Sequence, residues 1–227
     1  MEVSLLGGLQ KLFGCRPEVV VEPLPAGPCW ILLPLGNPGD DYAATRHNLG
    51  RLVLQRWMDR NCPKPGAVHR FRNGTLYCLG SPFLALVPGT YMNLSGRVVA
   101  EALKAGFDPA RMIVLFDDKD LPLGMGRFRL EGSSGGHNGL LSVIDHLGGP
   151  TVARLRLGIG PFVRPLADFV LQEWNEEEWA RIEALDEPFG RFMELLAECR
   201  ELGELASRVN GAEFWGGGEG PASRNTP

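Results

Sequence analysis

The sequence predicts one α/β domain, a twisted and mostly parallel sheet flanked by helices. Short apolar runs of strand length alternate with longer helical patterns, as in strand–helix–strand units. Gly, Pro and Asn signals close most of these runs. Polar clusters rich in Asn, His and Asp follow the apolar runs, at the edge where open α/β sheets bind their ligands. At 227 residues the chain is long enough to bury one large core.

The elements follow in chain order. Residues 1–29 read as a poorly ordered leader, with Pro23, Pro25, Gly27 and Pro28 just before the first strand. Trp30 to Leu33 is that strand, and Gly36-Asn37-Pro38-Gly39 must turn after it. Asn48 can cap a helix from Leu49 to Arg60, with Leu49, Val53 and Trp57 on one face. Strand segments follow near Phe71, Thr75 to Cys78 and Phe83 to Val87, with Asn73-Gly74 as a hairpin signal. Ser95 can cap a helix to Ala105. Met112 to Phe116 is a continuous apolar run, as in a buried strand, with Asp117 just beyond it. Gly126 to Leu130 and Ala153 to Ile159 are strands, separated by a glycine loop and a helix from Leu140 to Leu147. Glu176 to Ala206 is helical with a break at Pro188-Phe189-Gly190. The expected division is a leader to residue 29, a catalytic domain over 30–207 and a flexible tail over 208–227.

Composition narrows the function. Hydrophobic content of 44% and charged content of 22% fit a soluble globular protein. A net charge of −4 argues against a bulk polyanion binder but allows a local basic patch. Arg127, Arg129, Arg154, Arg156 and Arg164 form such a stretch, while Asp168 to Glu204 is acidic. Five widely spaced cysteines without a C-x-x-C fit neither a disulfide framework nor a zinc site. No apolar run is long enough to span a bilayer. Leu12 to Cys15 has the outline of a lipoprotein cleavage site, but Glu2 stands where a basic region is needed.

Four polar clusters can carry chemistry: Asn37 with His47; Tyr91 to Gly96; Asp117 to Asp120; and Gly135-Gly136-His137-Asn138-Gly139. Each has a structural alternative. Asn93 and Asn138 can be helix caps, Asp117 a turn former and His137 a buried hydrogen-bonding residue. Together they suit hydrolysis of an ester by water without a metal. Neutral imidazole, with a pKa of about 6.5, can take a proton from water. A carboxylate on its other nitrogen fixes the tautomer and stabilises the imidazolium that forms. Asn side chains can hold an acyl group without adding charge.

The chain resembles the bacterial-type peptidyl-tRNA hydrolase family over about residues 30–205. The resemblance rests on GNPGDDYAATRHN at Gly36 to Asn48, MNLSG at Met92 to Gly96, FDDKDLPLG at Phe116 to Gly124, GSSGGHNG at Gly132 to Gly139 and RLRLGIG at Arg154 to Gly160. It implies that His47 is the general base and Asp117 its supporting carboxylate. It implies that Asn37 separates N-blocked from free aminoacyl-tRNA, and that Asn93 and Asn138 hold the peptide and terminal adenosine. Tyr42 and Tyr91 align with aromatic contact positions, and Arg127, Arg129 and Arg156 with a clamp for an acceptor-stem phosphate. It further implies a monomeric cytoplasmic enzyme with tRNA as partner and neither metal nor cofactor. Phe116 and Lys119 depart from the family, which commonly has His and an apolar residue there.

Three rivals remain. Gly132-Ser133-Ser134-Gly135-Gly136 satisfies G-x-S-x-G, but no acid followed by a suitably placed His comes after Ser134. A non-catalytic RNA-binding relative of splicing-factor type would carry the same fold. A dinucleotide site fails because Gly124-Met125-Gly126 and Gly158-Ile159-Gly160 lack the third glycine.

Overall fold

The computed structural model describes residues 29–62, 64–162, 165–211 and 213–216. The expected leader, except Cys29, and Arg164 lie outside them. Seven strands form one sheet in the order β2-β3-β4-β1-β5-β7-β6. They are β1 (Trp30–Pro34), β2 (Gly66–Arg70), β3 (Gly74–Cys78), β4 (Phe83–Pro88), β5 (Met112–Pro122), β6 (Gly126–Arg129) and β7 (Ala153–Gly160). The central strands β4, β1, β5 and β7 run parallel. The flanks β2-β3-β4 and β6-β7 are antiparallel. The centre is therefore the expected parallel sheet; hairpins build the β2-β3-β4 margin, while β6 lies antiparallel beside β7 after a crossover through a helix.

Helices cover both faces, as buried parallel strands require. On one face α1 (Leu49–Asn61), α5 (Glu176–Ala184), α6 (Asp186–Glu198) and α7 (Leu202–Val209) pack Leu52, Val53, Ile182, Phe189 and Phe192 against Leu115, Phe128 and Leu155. On the other, α2 (Gly96–Lys104) and α3 (Asn138–Leu147) pack Val98, Val99, Leu140 and Val143 against Leu33, Leu86 and Val114. One further short helix, α4 (Leu166–Val170), has no counterpart among the sequence expectations.

Gly50 decides how close α1 comes to the sheet. A Cβ there would lie 2.3 Å from the carbonyl oxygen of Leu115. Without one, the helix start sits directly on the middle of β5, and the turn before it stands beside Phe116 and Asp117.

Several expectations need correction. Asp117 lies inside β5, whose pairing with β7 continues through Asp118. A backbone ladder needs no apolar side chains, so the end of the apolar run at Phe116 did not mark the end of the strand. The C-terminal helices break at Leu185, between α5 and α6, and again over residues 199–201, between α6 and α7, not at Pro188. Pro188 occupies the first turn of α6, where its missing N–H has no partner to lose. Neither Asn48 nor Ser95 caps its helix through its side chain. The Gly96 N–H of α2 is instead accepted by Ser142 Oγ of α3 at 3.0 Å.

The tail expected from residue 208 starts too early. Val209, Phe214 and Trp215 are buried in the core, and Trp215 Nε1 donates to the Val209 carbonyl at 2.7 Å. Asn210 accepts the Phe128 N–H at 2.8 Å and donates to its carbonyl at 2.9 Å. This seals the free edge of β6, which an unpaired strand needs. Residues 217–227 lie outside the described residues.

Candidate active site

The site forms past the end of β1, beside the middle of β5, where α1 and α3 begin. His47 sits in a short 3-10 turn, Arg46–Asn48, ahead of α1. Its Nδ1 lies 3.0 Å from Asp117 Oδ1 and 3.1 Å from Oδ2. Asp117 is an acceptor when ionised, so Nδ1 carries the proton and Nε2 keeps its lone pair. Asp117 Oδ1 also takes a bond from His137 Nε2 at 3.0 Å. His137 Nδ1 meanwhile accepts the Leu140 N–H at 3.1 Å and so caps α3. That contact fixes the His137 tautomer, because an accepting Nδ1 leaves the proton on Nε2.

The electrostatics follow from burial and this sharing. Burial works against the charged form of Asp117, but the His47 and His137 imidazoles overrule it and hold the carboxyl well below the usual range. Burial also pulls the His47 pKa down. The Asp117 charge and hydrogen bond together outweigh it, and the net direction is up. The site thus holds an ionised carboxylate and a strengthened base.

The sequence places His137 in a polar glycine-loop cluster but gives it no role beyond a buried hydrogen bond. Its role appears only when Asp117 and the start of α3 meet.

Asn37 is fixed on three sides. Its N–H donates to Asn48 Oδ1 at 2.8 Å, and its carbonyl accepts from Asn48 Nδ2 at 2.9 Å. Its own Oδ1 accepts the Met92 N–H at 2.8 Å. The amide NH2 remains as the donor for a ligand. Arg51 donates to the Pro88 carbonyl at 2.6 Å and reaches the Asn37 carbonyl at 3.4 Å. Desolvation lowers the pKa of this buried guanidinium to about 9. Asn93 is exposed in the Met92–Leu94 turn, and Tyr91 beside it is 56% exposed, with the Tyr42 ring edge-on at 6.3 Å. That turn packs on the start of α3, where a Cβ on Gly139 would come 2.3 Å from Met92 Sδ and 3.1 Å from His137 Cε1.

A cavity of about 540 Å3 opens beside the histidines, lined among others by His47, Asp117, His137, Asn138, Arg129 and Arg156. The structure therefore brings together His47, Asp117, Asn138, Arg129 and Arg156. Asn37, Tyr42, Tyr91 and Asn93 are outside that lining. Arg127 is exposed on β6 and does not line the cavity. Arg154 is buried, with its donors spent on the carbonyls of Val152, Gly132, Ser133 and Pro150.

Among the described residues, His47, Asp117 and His137 are also the one group of ligand atoms close enough to share a metal ion. A metal would have to displace hydrogen bonds that already use both histidines on the carboxylate. Ser134 lines the cavity, but its side chain makes no hydrogen bond to a histidine among the described residues. The serine-nucleophile alternative thus lacks its base.

No helix among the described residues is long and apolar enough to cross a membrane. The family model described as peptidyl-tRNA hydrolase matches residues 31–214. The peptidyl-tRNA hydrolase of Carboxydothermus hydrogenoformans is 44% identical over 156 residues, covering 66% of this chain and 81% of that protein. The one from Thermotoga petrophila is 39% identical over 171 residues, covering 73% of this chain and 89% of that protein. The crystal structure of peptidyl-tRNA hydrolase from Acinetobacter baumannii matches with a TM-score of 0.71 at 28% identity, over 81% of this chain and 95% of that one. With the matched residues spanning the sheet, both helical layers and the paired histidines, the chain belongs to the peptidyl-tRNA hydrolase family and is a hydrolase of peptidyl-tRNA.

Proposed function

We propose that His47 acts as the general base of this hydrolysis, taking a proton through Nε2 from the water that attacks the ester carbonyl. The observation that carries this reading is the bond from His47 Nδ1 to buried Asp117, which orients the free nitrogen and stabilises the imidazolium. The water adds to the carbonyl carbon of the C-terminal residue of the peptide. The tetrahedral intermediate then expels the 3′ oxygen of the tRNA, which leaves with the proton that His47 took up. Asn37, with its amide NH2 available, faces the acyl group and favours substrates whose α-nitrogen is acylated. Asn93 and Asn138 bind the acyl-adenosine end, and Tyr42 and Tyr91 flank it. Arg129 and Arg156 meet a phosphate of the acceptor stem, with Arg127 further along the strand. The enzyme works as a monomer in the cytoplasm and uses no metal.

The experiment is release of N-acetyl-amino acid from N-acetyl-aminoacyl-tRNA, with free aminoacyl-tRNA and His47→Ala in parallel. Cleavage of the blocked substrate alone, lost in the variant while RNA binding persists, is the expected result. Retained turnover in His47→Ala sinks the assignment of the base. RNA binding by the wild type without cleavage would favour the non-catalytic alternative.

A further inference from the structure

The arginines of the β6–β7 ribbon stand in two cross-strand pairs, Arg127 opposite Arg156 and Arg129 opposite Arg154. Like charges placed opposite one another destabilise a ribbon. Arg154 is accommodated by backbone carbonyls of the glycine loop and of the turn before β7. Arg156 has a carboxylate. Its Nε donates to Asp118 Oδ2, in an ion pair inside the catalytic cavity.

Asp118 is itself immobilised. It is 8% exposed, and its other oxygen accepts the Asp120 N–H at 2.9 Å. In the β5–β7 register, Phe116 faces Arg156 and Asp118 faces Gly158. Asp118 therefore reaches Arg156 on the diagonal, past a position with no side chain to intervene. A guanidinium is a rigid planar fork. With Nε held on Asp118, the edge bearing the two terminal nitrogens is left for a ligand, and that edge suits bidentate contact with a phosphate.

We propose that Asp118 is a positioning residue for phosphate recognition, holding Arg156 so that its terminal nitrogens meet a phosphate of the tRNA acceptor end. This rests on Arg129 and Arg156 being the phosphate contacts. The carboxylate repels any anion that approaches off-axis, so the pair also selects against phosphates that cannot use both terminal nitrogens. Asp118 neighbours Asp117 in sequence, yet its part is in binding and not in the chemical step.

The test compares Asp118→Ala, Asp118→Asn, Arg156→Ala and the Asp118→Ala/Arg156→Ala double variant on N-acetyl-aminoacyl-tRNA, with KM followed across salt concentration. Asn keeps an acceptor for the Arg156 Nε–H and loses the charge. The expected result is that Asp118→Ala raises KM about fivefold, the scale of one lost orienting hydrogen bond, and moves kcat much less. Asp118→Asn recovers most of that loss, and Asp118→Ala adds nothing once Arg156 is gone. If both Asp118 variants lower KM, the carboxylate only competes with the phosphate and the proposal falls. If both leave KM alone, it falls as well. Should Asp118→Ala fail to fold, Asp118→Glu replaces it, since a carboxylate displaced by one methylene should also raise KM. An Arg156→Ala variant with unaltered KM and salt slope would instead overturn the phosphate contact itself, whatever the Asp118 variants do.

Discussion

Asn48 grips Asn37 by both of its backbone polar groups, accepting its N–H at 2.8 Å and donating to its carbonyl at 2.9 Å. Both residues are buried. Asn48→Asp keeps the acceptor but sets a carboxylate against the Asn37 carbonyl. It should lower stability by about 2–3 kcal/mol, the scale of a lost buried donor with a charge left behind. It should also lower kcat/KM at least about tenfold, because the Asn37 amide loses its aim. Urea denaturation and steady-state kinetics check both parts. A stable variant with normal discrimination between blocked and free aminoacyl-tRNA would contradict the link.

The proposed base should be visible in the pH profile. His47 must be neutral at Nε2 to take a proton, and its pKa lies above the ordinary value of about 6.5. The acid limb of kcat/KM should therefore have its midpoint above that value. Asp117→Asn removes the carboxylate and leaves burial, so the midpoint should move below it while the rate falls. An identical limb in both enzymes would show that a different group titrates.

The same pair sets a stability window. The raised His47 pKa stabilises the fold fully below about pH 6.5 and loses that contribution as pH rises through the folded value. The depressed Asp117 pKa stabilises above about pH 3.9 and loses its contribution as pH falls through the folded value. The deficit of Asp117→Asn in urea melts should thus be largest between about pH 4 and 6.5, where both partners are charged. A deficit that grows toward alkaline pH would reverse the sign.

His137 does two jobs that substitutions can separate. It caps α3 through Nδ1 and donates to Asp117 through Nε2. His137→Ala should lose about 1 kcal/mol from the cap and about tenfold in kcat because Asp117 loses the contact that fixes its position against His47. Asn is a good cap but too short to bridge to Asp117, so His137→Asn should recover the stability and not the rate. Recovery of both would reduce His137 to a cap.

The C-terminal packing gives a prediction about the domain limit. Trp215 is buried and packs near Phe192. Trp215→Ala should cost about 3–5 kcal/mol, as for other large core deletions. Truncation after residue 207 should be at least as damaging, since it also removes Asn210 from the β6 edge. An unaltered melting temperature in the truncated chain would restore the boundary expected from composition.

Much of the fold was legible because its signals are local. The parallel centre was readable from continuous apolar runs, and the Asn73-Gly74 hairpin from turn chemistry. What misled was the use of side-chain pattern for backbone limits, at Asp117 in β5 and at Pro188 in α6. Glycine-rich composition likewise suggested a loose tail, while two aromatics within it, Phe214 and Trp215, carry enough apolar surface to hold their segment down.

The sequence by itself determined the residue types and the motifs: a histidine before a helix, an aspartate at the end of an apolar strand, asparagines beside turns, and arginines in alternation. Only the tertiary structure decided their partners. His47, Asp117 and His137 are separated by 70 and 20 positions and meet on one carboxylate. Arg154 and Arg156 differ by two positions on one strand, yet one is spent on loop carbonyls and the other stands on Asp118 beside the cavity. The physical reason is that burial, charge and hydrogen-bond geometry depend on distances across the sheet. Local sequence sets what a side chain can do, and the neighbours that strand order and register bring to it set what it does.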